Sequence, residues 1–142
     1  MTEEQALGIS RLCIPFTPFR GRLEEAAVCL VSTAGVRLRS QPAFDTQHEL
    51  GHRVIPGDAT SELLTVDDTH YDHGCVDRDR NCVFPIDRLR ELVAAGKVGA
   101  LTENHFATAY TQQLRDFAAF TAVRLAREVA AERPQAVLLT GG

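Results

Sequence analysis

The sequence has no apolar run that approaches the roughly 20 residues a helix needs to cross a bilayer. Its acidic start, Met1-Thr2-Glu3-Glu4, differs from the basic start of a secretory signal peptide. Basic charge is not in excess either, because 15 basic and 19 acidic side chains give a net charge of -4. Such a chain has no broad cationic surface for nucleic acid or anionic lipid. We therefore predict a cytoplasmic protein that binds small molecules or other proteins, without nucleic acid or membrane.

Several common motifs are also missing. There is no CxxC pair and no recognisable disulfide framework, so the cysteines are expected to be reduced thiols. The four of them are widely spaced: Cys13, Cys29, Cys75 and Cys82. Ser32, Thr33 and Gly35 follow an apolar run as residues of a binding turn would, but no GxGxxG or GxxxxGK[ST] pattern is present. Nucleotide binding is therefore only weakly supported.

The hydrophobic pattern predicts one α/β domain with a mainly parallel sheet flanked by helices. Continuous apolar runs at 28–33 and 136–140 indicate strands inside a parallel sheet, whose carboxyl ends should share one edge. Shorter strands are expected near 53–55, 63–66 and 97–101, and helices over 85–95 and 114–131. We divide the chain into an extended, proline-containing arm at 1–25 and the α/β domain at 26–142.

The last residues follow the strand at 136–140 with Gly141-Gly142 and nothing more. The turn after a parallel strand is where such folds carry chemistry, and a helix N-terminus usually follows it. The domain therefore looks truncated after its last strand, although a natural terminus is the alternative.

A polar cluster at Thr69-His70-Tyr71-Asp72-His73-Gly74-Cys75 is open to three interpretations. Four side chains could bind zinc, but their H-x2-H-x-C-x6-C order matches no standard structural spacing, and we predict no metal. Those four are His70, His73, Cys75 and Cys82. Alternatively, the histidines exchange protons in a substrate pocket and Asp72 orients them. The third possibility is a hydrogen-bonded loop whose aspartates close turns.

Other residues have simpler expectations. Cys29 lies in an apolar strand and should be a small core residue with a raised pKa. Cys82 precedes a predicted helix start, where a thiolate is stabilised, yet we expect it to be buried. His105 is expected at the surface. The stripe on the second helix is predicted to be core: Leu114, Phe117, Ala118, Thr121, Ala122, Leu125 and Val129.

Three segments together resemble one known family. Residues 30–36 (LVSTAGV), 69–73 (THYDH) and 81–89 (NCVFPIDRL) are similar to the selenoprotein B family of the glycine, sarcosine, betaine and D-proline reductases. Within it, the selenocysteine subunit of D-proline reductase is the most similar. The resemblance covers most of the chain from about Ala26 onward.

The resemblance implies an oxidoreductase subunit that reductively cleaves a carbon–nitrogen bond of a small amino acid or amine. It places a selenocysteine, encoded by UGA, directly after Gly142, so the chain given would lack its nucleophile and be inactive alone. A pyruvoyl group on a separate subunit would bind the substrate amine, a dithiol would donate electrons, and this chain would carry no cofactor. We expect four residues to line the substrate pocket: His70, Asp72, His73 and Cys82.

Two alternatives remain at the level of the sequence. The chain could be a non-catalytic module that binds or assembles with a pyruvoyl-bearing subunit. It could also be a metal-dependent enzyme built on the four candidate zinc ligands named above.

Overall fold

The computed structural model describes residues 17–45, 50–67 and 72–141. In chain order, the strands are β1 (Ala27–Ser32), β2 (Val36–Leu38), β3 (His52–Pro56), β4 (Leu64–Val66), β5 (Ala100–Leu101), β6 (Asn104–Thr108) and β7 (Ala136–Thr140). The helices are α1 (Ile86–Ala94), α2 (Leu114–Asp116) and α3 (Ala122–Ala131), and a π-helical turn, Phe117–Thr121, joins the last two. Single 3₁₀ turns cover Leu23–Glu25, Ser61–Leu63 and Arg80–Cys82.

β1 lies at the centre of a five-stranded sheet. One of its edges pairs in parallel with β7, and the other pairs in parallel with β5 and β6. β3 pairs with β6 in the antiparallel direction, and β2 and β4 form a separate antiparallel pair. The predicted α/β fold with a mainly parallel sheet is confirmed. Ser32 of β1 pairs with Thr140 of β7, so their carboxyl ends share one edge as predicted.

The helix α1 follows its sequence pattern closely. Pro85 precedes the first helical residue, Asp87 lies in the first turn, and Ile86 and Leu89 are buried. Gly96 follows with φ of 65°, a left-handed conformation that glycine adopts without strain.

Apolar side chains from both faces of the sheet are buried. On the α1 face, one cluster contains Leu30, Ala34, Val36, Ile55, Ala59, Leu64, Val76, Val83, Phe84, Ile86, Leu89 and Ala107. On the α3 face, a smaller cluster contains Cys29, Val31, Phe106, Leu125 and Val129.

The expected surface position of His105 is wrong. It lies in β6, a strand that the sequence did not predict, and its side chain is fully buried against Phe84. Its Nδ1 accepts a hydrogen bond from the Leu30 amide at 3.0 Å. β5 pairs with the first half of β1 and β6 with the second half. The Leu30 amide lies between these two paired stretches, and the His105 ring supplies its hydrogen-bond acceptor. Burial lowers the pKa of His105 to about 4, so the ring is neutral near pH 7.

The predicted stripe on the second helix is only partly core. Thr121, Leu125 and Val129 are buried, but Leu114 is 53% exposed and Ala118 is also exposed. The five-residue π-helical turn explains the difference, because its wider spacing rotates the preceding residues away from the face that α3 buries.

The prediction that the last strand is buried is also wrong. Val137, Leu138 and Leu139 are 43%, 38% and 73% exposed. Within the described ranges β7 pairs with β1 alone, which makes it an edge strand of the sheet. The division at 1–25 stays a prediction, since residues 1–16 lie outside the described part of the chain.

Candidate functional site at the carboxyl edge of the sheet

The ends of β1, β6 and β7 meet at one edge of the sheet. The amide of Thr33, just after β1, donates to the carbonyl of Thr140 at 3.0 Å, and the amide of Gly35 donates to the carbonyl of Thr108 at 2.9 Å. Gly141 lies beside this turn, since a Cβ atom there would be 3.6 Å from Thr33 Oγ1. In open α/β sheets, ligands bind outside the carboxyl ends of the strands.

Two hydroxyl groups connect this edge to the segment before α1. Ser32 Oγ and Thr140 Oγ1 both donate to the carbonyl oxygen of Val83, at 3.0 and 2.7 Å. Phe84, the next residue, is fully buried in the α1-face cluster. The residues from Cys82 to Phe84 are therefore held at the ends of β1 and β7.

Asn81 fixes the start of this segment. Its Nδ2 donates to Asp79 Oδ1 at 2.8 Å and to Asp87 Oδ2 at 3.1 Å, while its Oδ1 accepts from the Asp87 amide at 3.1 Å. The side chain of Asn81 therefore links the loop to the first turn of α1. It also lowers the pKa of the exposed Asp79 through these hydrogen bonds. Burial alone would raise the pKa of Asp87, but hydrogen bonds from Ser61 and Asn81 hold it below its ordinary value.

Of the predicted pocket residues, Cys82 lies next to Val83 at this edge, and Asp72 and His73 lie in the described part of the preceding loop. Asp72 is exposed, and its Oδ1 accepts from the Gly74 amide at 2.9 Å, which closes a turn as the third interpretation of the loop requires. His73 is half-buried, and its carbonyl accepts from the Asp77 amide at 2.8 Å. His70 lies outside the described residues. The roles of His70, Asp72, His73 and Cys82 in substrate binding stay predictions.

The thiols occupy contrasting environments. Cys29 is fully buried, and burial raises the pKa of its thiol, as predicted. Cys82 is exposed, so its expected burial is wrong. The 3₁₀ turn that ends at Cys82 turns the following two side chains, Val83 and Phe84, into the core. Cys75 is also exposed, and its Sγ accepts from Arg78 Nη2 at 3.3 Å.

Metal binding has no support in the part of the chain that the structure describes. Within those ranges, no group of three or more His, Cys, Asp or Glu side chains is placed to hold an ion. The irregular zinc set itself includes His70 and therefore stays untested. Likewise, no helix among the described residues is long and apolar enough to span a membrane.

Two polar features near this edge were not predicted from the sequence. The paired hydroxyls of Ser32 and Thr140 could have been noticed, because each ends an otherwise apolar strand. The second is a pair formed by His52 of β3 and Glu128 of α3, with Nε2 and Oε2 2.7 Å apart. Burial alone would raise the pKa of Glu128, but hydrogen bonds from Arg124 and His52 lower it. These two residues are 76 positions apart, and no local pattern indicates their contact.

Comparison with known proteins identifies relatives over nearly the same residues. The family model of the glycine/sarcosine/betaine reductase selenoprotein B matches residues 20–142. The D-proline reductase subunit gamma of Acetoanaerobium sticklandii is 36% identical over 129 residues, which are 89% of this chain and 53% of that protein. The glycine reductase complex component B subunit gamma of Carboxydothermus hydrogenoformans is 29% identical over 132 residues, which are 89% of this chain and 30% of that protein. No solved structure matches the chain at a significant level.

The chain spans about half of the length of the D-proline reductase subunit and less than a third of the length of the glycine reductase subunit. The family match nevertheless includes every element of the edge described above: the ends of β1 and β7, the Val83 carbonyl and the Asn81 network. The resemblance seen in residues 30–36 and 81–89 is thereby confirmed, and the chain belongs to the selenoprotein B family of the glycine, sarcosine and betaine reductases.

Proposed function

We propose that this chain is part of the nucleophile-bearing subunit of an amino-acid reductase that cleaves a carbon–nitrogen bond, with selenocysteine directly after Gly142. The meeting of β1 and β7 at Thr33, Thr140 and Gly141 is the observation that supports it. A residue directly after Gly142 would lie at the carboxyl edge of a parallel sheet, which is where such folds bind ligands. The dithiol dependence and the cytoplasmic location belong to the same proposal.

The proposed chemistry divides one difficult bond cleavage into two easier steps. A selenolate attacks the substrate carbon, the carbon–nitrogen bond breaks, and the amine leaves with the bonding electron pair and takes up a proton. A thiol of the donor then attacks selenium, and the carbon leaves with its electron pair and takes up a second proton. The donor's other thiol displaces the selenolate, so the dithiol is oxidised to a disulfide. A pyruvoyl group on a partner subunit would supply the electron-withdrawing site that holds the nitrogen of the substrate.

The residues of this chain would position these reactants. Cys82 is the exposed thiol next to Val83, whose carbonyl is bonded to both strand ends. We place it, with His70, Asp72 and His73, at the wall of the substrate pocket. The two hydrogen bonds to the Val83 carbonyl would hold Cys82 at a fixed position relative to the selenocysteine.

The first experiment is to sequence the gene and to produce two proteins: the chain that ends at Gly142, and the longer product if the next codon is UGA. Each is combined with a pyruvoyl-bearing reductase subunit from the same genome, a dithiol, and D-proline, glycine, sarcosine or betaine in turn. We expect the longer protein to turn over one substrate and the shorter one to show no turnover. A matched variant with serine in place of the selenocysteine should be as inactive as the shorter chain.

A different codon after Gly142, or robust turnover by the chain that ends there, would refute the proposal. Tight binding to the pyruvoyl-bearing subunit without turnover by any form would support the non-catalytic assembly module instead. The assay therefore separates these two functions.

A further inference from the structure

On the α3 face of β7, the described residues 17–45, 50–67 and 72–141 leave an apolar surface uncovered. Cys29 pairs with Val137 and Val31 pairs with Leu139, and directly paired residues of neighbouring strands point to the same face of a sheet. Cys29 and Val31 pack against α3, so Val137 and Leu139 also point to that face. Leu139 is 73% exposed, an unusual state for a side chain on the inner face of a parallel sheet.

The flank of α3 nearest to β7 is a row of small side chains. Glu128 contacts His52 of β3, so this side of α3 points toward the opposite edge of the sheet. By helical geometry, the other flank carries Ala122, Ala126 and Ala130, which are exposed or half-exposed. Small side chains at this spacing let a second helix approach closely. Beside Val137 and Leu139, a cavity of about 780 Å³ separates β7 from residues 17–21, which include Phe19.

The path of the chain shows which kind of element fits this space. From β6, the chain passes through α3, crosses β1 and returns as β7 on the far side. Parallel crossovers have one hand in almost all proteins. A further crossover that continues in the same direction must therefore place its helix on the same face as α3. That helix would cover Val137 and Leu139 and lie beside the alanine row, and its strand would pair with the open edge of β7.

We propose that this surface receives a helix followed by a parallel strand, and that both belong to the polypeptide that continues beyond Gly142. The inference rests on the proposed function, which requires such a continuation for the selenocysteine. It goes further by giving the continuation a place, a face and a direction. The length of the relatives supports it, because the matched segment is only 53% of the D-proline reductase subunit gamma.

A second copy of this chain fits the same surface poorly. Two β7 edges would pair around a two-fold axis and bring both α3 helices to one face of a continuous sheet. The strand order across the contact would then be β1, β7, the copy of β7 and the copy of β1. Three spacings between strands would separate β1 from its copy, a distance of roughly 14 Å. Since α3 packs on β1 and β6, the two helices would be at least that far apart, whereas packed helices lie about 8–10 Å apart. Val137 and Leu139 would remain uncovered between them.

Hydrogen exchange tests the proposal directly. It is measured on the amides of 136–140 in the chain that ends at Gly142 and in the longer protein, with light scattering to determine the oligomeric state. We expect light scattering to show that both proteins are monomers at low protein concentration. The amides of Val137 and Leu139 should exchange at least about 100-fold more slowly in the longer protein, because they become bonded within the sheet.

A substitution provides an independent measurement. Leu139→Asp should lower the melting temperature of the longer protein by several degrees or more, and that of the shorter chain hardly at all. Leu92→Asp is the matched control, because Leu92 is a 43% exposed leucine on α1 and should have an equally small effect in both proteins.

Three results would overturn the proposal: a gene that ends after Gly142, equal exchange in both proteins, or slow exchange in the shorter chain with a dimeric mass. Its failure is distinguishable from failure of the proposed function. A longer protein that is active but has unprotected β7 amides disproves the docking alone. Protected amides without turnover disprove the catalysis alone.

Discussion

The two faces of the sheet are buried to very different extents. On the α1 face, a large cluster reaches from Leu30 and Ile55 to Phe84, and two hydroxyls satisfy the carbonyl of Val83 above it. On the α3 face, the buried cluster contains five of the described residues, and Val137 and Leu139 of β7 and Phe120 of the π-helical turn are exposed. Among the described residues, the α1 face is therefore the more completely buried of the two, and the α3 face keeps exposed apolar side chains.

The sharpest test of this contrast uses the same substitution on each face. Phe84→Ala removes a fully buried ring and should lower the free energy of unfolding by about 3–5 kcal/mol. Phe120→Ala removes a ring that is 69% exposed and should change the unfolding free energy by less than about 0.5 kcal/mol. Urea unfolding of the two variants provides the measurement. Similar losses in both variants would show that the two faces do not differ in this way.

The pH dependence of stability should come largely from the α1 face, through His105. Its pKa is lowered to about 4 by burial, with smaller effects of Glu132, which raises it, and Arg90, which lowers it. The neutral ring is therefore favoured in the folded state. Its contribution is complete above the ordinary pKa of 6.5 and is lost as the pH falls from there toward 4.

We expect this to make the protein about 2 kcal/mol less stable at pH 5 than at pH 7, measured by urea unfolding. His105→Gln should be less stable at pH 7 but should lose most of the difference between the two pH values. Glu128, on the α3 face, has a lowered pKa, so its contribution to stability is complete above its ordinary value of 4.5 and is lost only as the pH falls below that value. It therefore adds little to the difference between pH 5 and pH 7. An unchanged pH difference in the variant would contradict the neutral buried ring.

The carbonyl of Val83 offers a smaller and more local test. Ser32→Ala and Thr140→Val should each cost about 1 kcal/mol, because the carbonyl keeps one of its two hydroxyl donors. The double variant leaves the carbonyl without either donor and should cost about 0.5–1 kcal/mol more than the sum of the single variants. Strictly additive losses, from a double-mutant cycle of unfolding free energies, would mean that the two hydroxyls do not share this acceptor.

The smallest effect is expected at Cys82. Since its side chain is exposed, Cys82→Ser should change the unfolding free energy by less than about 0.5 kcal/mol. Alkylation of the folded protein followed by peptide mapping should modify Cys82 and leave the buried Cys29 unmodified until the protein unfolds. Rapid modification of Cys29 in the folded state, or protection of Cys82, would reverse the assignment of the two environments.

Local patterns in the sequence were sufficient for several elements. The apolar run that became β1 and the helix α1, with Pro85 before it and Gly96 after it, were predictable, since strand hydrophobicity and helix-terminating residues act over a few positions. So were the parallel direction of β1 and β7 and the burial of Cys29. The resemblance in residues 81–89 also led to the family, although the roles of individual side chains did not follow from it.

Other features depended on contacts between distant residues. The burial of His105 follows from its bond to Leu30, 75 positions away, and the exposure of β7 follows from its place in the strand order. The attachment of Cys82 to the sheet edge requires Ser32 and Thr140 to meet at Val83. A local sequence pattern specifies which face of an element is apolar, whereas the strand order decides what covers that face. The sequence thus determined several of the elements and the family, and the tertiary structure determined which apolar surfaces of the described residues are core and which are open.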